Sequence, residues 1–146
     1  MRSIAEIEQW LETGERSPDP LDHAAELLQA SEDVLENWIV AHGGTPTDEM
    51  REGFRLLALH RQGAKGDPSF NACRETCREV AYHYNLVSMN AADPCIGSTV
   101  AMMRLVTKHL VLFIGGKLQE AGLGDFCCSS RPIRSKPDRK VDYLGV

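Results

Sequence analysis

The sequence predicts an all-α fold: a compact bundle of about six helices around one central helix over 98–122, with an irregular C-terminal tail. Three observations lead there. Apolar residues recur three and four apart through most of the first 122 residues, the period of a helix with a buried face. No stretch shows the strict alternation of a half-buried strand. The pair Asp-Pro occurs at Asp19–Pro20, Asp67–Pro68 and Asp93–Pro94. Each offers a cap acceptor followed by a proline whose missing N–H costs nothing in a first turn.

The first helix is expected from Ser3 to about Thr13. Ser3 and Glu6 have capping-box spacing, Ile4, Ile7, Trp10 and Leu11 form one stripe, and Gly14 stops it. The second begins at Asp19–Pro20 and turns Leu21, Ala24, Ala25 and Leu28 inward. Ser31, followed by Glu32 and Asp33, reads as a third start, with acids where the helix dipole favours them. Val34, Leu35, Trp38 and Ile39 are its stripe, and Gly43–Gly44 ends it. One residue separates the two segments, so they can equally form one kinked helix. Thr47, Asp48 and Glu49 mark a fourth start, with Met50, Phe54, Leu57 and Ala58 on its apolar side and Gly63 at its end. The fifth is expected from Pro68 to about Val87, with Phe70, Cys73, Cys77, Val80, Ala81 and Tyr84 inward.

The central stretch, Ser98–Gly122, is the most apolar of the chain. Arg104, Lys108, Lys117 and Gln119 share a narrow side. Val100, Met103, Leu105, Val106, Leu110, Leu112, Phe113, Ile114 and Leu118 cover most of the rest. A helix apolar over most of its circumference belongs in an interior. Its cations interrupt the run of about 20 apolar residues that a membrane span needs, so no span is expected. Gly115–Gly116 costs about 1 kcal/mol per residue in helix propensity; close approach of another backbone, or a kink, is the expected compensation.

A chain of 146 residues fits one domain, here 1–124, with 125–146 a basic tail packed on the domain or on a partner. The net charge is −5 but uneven: residues 1–50 hold 12 acids and 2 bases, residues 51–146 hold 9 acids and 14 bases. The acidic part is expected to fold onto the basic remainder or to serve as a docking surface. Net negative charge argues against nucleic acid as a partner. MRSIAEIEQW lacks the apolar core of a signal peptide, which points to the cytoplasm and to free thiols.

Cys73 and Cys77 lie one helical turn apart. Their Cβ atoms would be about 6 Å apart, too far for a disulfide at about 3.8 Å, but two thiolates at that spacing can hold one metal. Both also fall on an apolar stripe, where cysteine is commonly a core residue. Completing ligands would come from Cys127, Cys95 or His109, giving Zn or an Fe–S cluster; no C-x-x-C pair exists, and no cofactor is the primary expectation. His109, beside Leu105, Leu112 and Phe113, reads as a core histidine, or as a ligand or acid–base group. His60 beside Leu56 and Leu57 reads likewise as a core residue. His83 is expected to pair with Glu79. His23 and Glu26 resemble half of a carboxylate-bridged metal site, without the second half. Asn71, Arg74, Glu75 and Arg78 form a polar cluster read as surface ion pairs, or as a carboxylate or phosphate holder. Five bases from Arg131 to Lys140 and the spaced apolar residues Phe126, Ile133, Val141, Tyr143 and Leu144 give the tail the look of an anchored segment.

With no phosphate loop, nucleophile elbow or zincin motif, the leading functional expectation is a small cytoplasmic accessory protein. It would bind another protein or itself as a subunit or regulator of a larger assembly. The alternatives are a thiolate metal or redox protein, and a helical ligand binder or enzyme with a pocket near His109.

Overall fold

The computed structural model describes residues 1–123, which are all-α. Five α-helices follow in order: α1 (Ile4–Thr13), α2 (Pro20–Ala41), α3 (Arg55–Ala64), α4 (Arg74–Met89) and α5 (Ile96–Glu120). A 3-10 helix, Pro68–Cys73, runs directly into α4. The expectations for the tail and for Cys127 lie outside the described residues. α5 packs against α1, α2 and α4, and α2 also meets α3 and α4.

α1 forms as its cap predicts. Ser3 Oγ accepts the Glu6 N–H at 3.1 Å, and Glu6 Oε1 accepts the Ser3 N–H at 2.8 Å, so two orphan donors of the first turn are satisfied. Ile4, Ile7 and Leu11 are buried. The two segments expected to meet at Ser31 are one helix of 22 residues. Ser31 does not cap. Its buried hydroxyl donates to the Leu27 carbonyl at 2.9 Å, one turn back within the same helix. Ala24, Leu27, Ala30, Val34 and Trp38 keep one buried stripe through that point.

The fourth expected helix starts late. Thr47 Oγ1 accepts the Glu49 N–H at 3.1 Å, a local turn rather than a helix cap. The chain then reverses at Arg51–Phe54, whose end residues exchange both backbone hydrogen bonds at 3.0 Å. Glu52 and Gly53 have φ of 55° and 85°, the pair of left-handed residues that a type I′ turn requires. α3 therefore begins only at Arg55, and Met50 lies exposed instead of in the core. Gly63 does not end α3 but sits inside it: a Cβ there would lie 2.7 Å from Phe70 Cε2. The fifth expected helix divides at Cys73, where 3-10 gives way to α.

The central helix is present, two residues earlier at each end than expected. Among the described residues, only part of it is covered. Val100, Met103, Thr107, Leu110, Val111, Ile114, Gly115 and Leu118 are buried, whereas Met102, Leu105 and Leu112 are 49%, 63% and 55% exposed. The expectation that apolar residues all round would be buried all round is corrected: three helices reach α5, and they enclose one side. By length and composition alone α5 is long and apolar enough to cross a membrane, the one such helix among the described residues. Of the glycine pair, Gly115 meets α1: a Cβ would stand 3.3 Å from Ile4 Cγ2. Gly116 faces open space. A side chain, not a backbone, makes the expected close approach.

The uneven charge is partly paired internally. Arg55 of α3 reaches Glu36 and, at 3.5 Å, Glu32, both on α2. Arg2 holds Asp33 at 3.0 Å. Burial pushes the Glu32 carboxyl up, and the Arg55 guanidinium opposes that shift.

The two sides of α5 should respond differently to truncation. Leu110→Ala, fully buried, is expected to cost about 2–5 kcal/mol in urea unfolding. Leu105→Ala is expected to stay within about 0.5 kcal/mol of the parent. Similar losses at both positions would contradict the half-covered helix.

Candidate functional site: the thiol pair and the outer face of α5

Cys73 ends the 3-10 helix and Cys77 lies in the first turns of α4. Both are free and buried, Cys73 at 1% exposure. Cys73 Sγ donates to the Phe70 carbonyl at 3.2 Å. A hydrogen bond from Cys77 is the main cause that holds Cys73 below the ordinary thiol range; burial opposes it and His60 assists. Cys77 is pushed up by the same bond and by its burial. The two sulfurs thus share a proton economy in which the first charge sits on Cys73 and the second is strongly disfavoured.

His60 is the third member. It is buried, its ring lies stacked 5.2 Å from that of Phe70, and Nε2 donates to the Phe70 carbonyl at 3.1 Å in the matching tautomer. This is the core histidine bonded to a carbonyl that its sequence neighbours suggested. A thiol of lowered pKa next to imidazole has the elements of an activated nucleophile. Access is what it lacks, since Cys73 is enclosed.

The other candidate ligands are elsewhere. Cys95 is exposed at the N-cap of α5. His109 is exposed 14 residues along the sequence from Cys95, about 21 Å at 1.5 Å per residue, so these two cannot share an ion. Of the candidates within the described residues, the structure brings together Cys73 and Cys77 alone. No group of three or more His, Cys, Asp or Glu able to hold a metal occurs among the described residues. His23 Nδ1 meets Glu26 Oε1 at 2.9 Å, and Glu26 also accepts the Ser17 hydroxyl at 2.7 Å. His83 does not pair with the Glu79 carboxylate as expected; its Nδ1 meets the Glu79 carbonyl at 2.7 Å.

His109 is not a core residue either. It lies on the same outward side of α5 as Leu105 and Leu112, and Met102 extends that row by three residues. Positions 102, 105, 109 and 112 repeat at three, four and three, so they form one seam along a helix. A groove of about 330 Å³ between α1 and α5 runs beside it, lined by Ala5, Glu8, Leu11, Glu12, Val111 and Leu112, with Lys108 on the α5 side. Burial in that groove raises the Glu8 carboxyl, and Glu12 adds to the shift.

No protein-family model, curated protein or solved structure matches the chain. The chemistry of these surfaces therefore carries the functional argument. Enclosed sulfurs can store and share a proton; an open apolar seam with a charged border can bind a partner. Sequence periodicity marked Leu105 and Leu112 as apolar but placed them inward, and missed Met102.

Thiol reactivity should follow access rather than acidity. With iodoacetamide and peptide mapping by mass spectrometry, Cys95 is expected to label in the native protein. Cys73 and Cys77 should label only after denaturant is added. Native labelling of Cys73 ahead of Cys95 would overturn the enclosed-pair description.

Proposed function

We propose that the chain is a small accessory protein that docks onto another protein through the outer face of α5. One observation carries the reading. Met102, Leu105 and Leu112, three large apolar side chains, stand about half or more exposed in one row of a helix whose opposite side is core. Burying a leucine is worth about 1.5–3 kcal/mol. Scattered exposed apolar residues are normal on a monomer; a row of them is the pattern of a helix read by a groove. Glu8, Glu12 and Lys108 supply the polar border that interfaces carry around an apolar centre.

A bilayer is a poorer occupant of the same face. His109 lies in the middle of the row and Lys108 beside it, both exposed, and ionisable groups there are costly against hydrocarbon. In this reading residues 1–124 act as one folded unit in the cytoplasm. The basic tail, 125–146, supplies a second contact to the same assembly.

A photo-crosslinking residue placed at 105, in the cell that makes the protein, tests this against the same residue at 82, an exposed position on α4. One defined adduct from 105 and none from 82 is expected, together with loss of binding in Leu105→Asp/Leu112→Asp. That variant should melt close to the parent, since both sites are exposed. Equal adducts at 82 and 105 would refute the proposal.

A further inference from the structure

Four arginines line one surface cavity of about 200 Å³: Arg51 from the type I′ turn, Arg61 from α3, and Arg74 and Arg78 from α4. His60 and Asn71 also line it, and among the described residues no carboxylate does. Glu52 grips Arg78 with both oxygens, at 2.8 and 3.1 Å. Arg51, Arg61 and Arg74 make no ion pair among the described residues, although the Arg51 and Arg74 charges also help to lower the Glu52 carboxyl, after Arg78.

Three details say that this is more than surface charge. Arginines from three elements line one cavity, and like charges brought near one another repel. Arg74 and Arg78 stand four apart on α4, a like-charge spacing that destabilises a helix. Glu52 adopts a left-handed φ that a non-glycine residue rarely takes, and its carboxylate ties the turn that carries Arg51 to α4. An anion in the cavity compensates the first two costs. His60, held by the Phe70 carbonyl, gives the cavity a fixed wall.

The geometry points to a phosphate monoester as the ligand: we propose that Arg51, Arg61 and Arg74 bind its terminal phosphate, with Arg78 fixed beside them by Glu52. Each guanidinium offers a planar fork of donors. One fork saturates a carboxylate, whereas a phosphate dianion presents three oxygens to several forks. A cavity of this size takes the phosphate and little of its carrier. A phosphorylated protein side chain and a small phosphate ester share that group.

Isothermal titration of the full chain at matched ionic strength tests the proposal with inorganic phosphate, O-phosphoserine and acetate. Saturable binding of both phosphates is expected, at least tenfold tighter than acetate. Arg51→Gln/Arg74→Gln should weaken phosphate at least tenfold. Arg74→Lys, which keeps the charge but not the fork, should also weaken it, by less. Arg16→Gln, which removes an exposed cation that does not line the cavity, should leave it unchanged. None of these side chains is in an ion pair, so melting curves should match the parent; if the double variant melts early, Arg61→Gln replaces it. A phosphoserine peptide binding more tightly than AMP assigns the carrier to a protein, and the reverse order to a small ester; either order supports the phosphate site. Equal affinity for acetate, equal weakening by Arg16→Gln, or no weakening in the cavity-arginine variants overturns it.

Discussion

Much of the structure depends on where the Phe70 ring goes. It is fully buried, stacked at 4.8 Å on Trp38 of α2 and at 5.2 Å on His60 of α3. Offset aromatic pairs at such distances add about 0.5–1.5 kcal/mol each beyond the area they bury. The ring fits because residue 63 has no Cβ, which would stand 2.7 Å from Cε2. A glycine inside a helix is otherwise a loss, so the stack is what justifies it. The backbone of the same residue does the second half of the work. Its carbonyl accepts from His60 Nε2 and from Cys73 Sγ. One residue thereby ties α2 to α3 and sets the histidine and the thiol of Cys73, the residue before α4, in place.

α5 shows the complementary situation, a helix with more apolar surface than the described residues cover. Its buried residues recur at 100, 103, 107, 110, 111, 114 and 118, a stripe of helical period that meets three other helices. The row at 102, 105, 109 and 112 lies outside that stripe. If stability alone shaped this helix, polar residues on the outer side would serve as well and would aggregate less. The helix instead carries one buried apolar stripe, one exposed apolar row and cations between them.

How much of this was legible in the sequence follows from which forces are local. Caps are local, so Ser3 with Glu6 was readable and is present. Helical period is local too, and it found every α-helix, including the long one near the C-terminal end. Direction is not local. A wheel shows that Leu105 and Leu112 are apolar; only the number and placement of the neighbouring helices decides which side of α5 is enclosed. Ser31 misled because serine at a cap and serine bonded to a carbonyl one turn back look alike in sequence. The turn at Glu52 misled because Gly53 marked a break, but a left-handed glutamate beside it has no sequence signal. The arginine cavity was half visible. Arg74 and Arg78 stand one turn apart on a single helix, whereas Arg51 and Arg61 join them only through the fold.

That turn also bears on what the 51–78 region is for. Stability favours glycine at a left-handed position, yet Glu52 occupies it. The compensation visible in the structure is the two-oxygen bond to Arg78, and both side chains are substantially exposed, where an ion pair adds little to folding. The arrangement is better explained by position than by energy. With Glu52 holding Arg78, the turn is tied to α4 and Arg51 projects into the cavity that Arg61 and Arg74 also line. On the other side of His60, the Phe70 carbonyl fixes the ring against the core. A left-handed glutamate, a like-charge arginine pair and a histidine anchored to the core meet around one small volume, and the proposed phosphate is the ligand that would use all three.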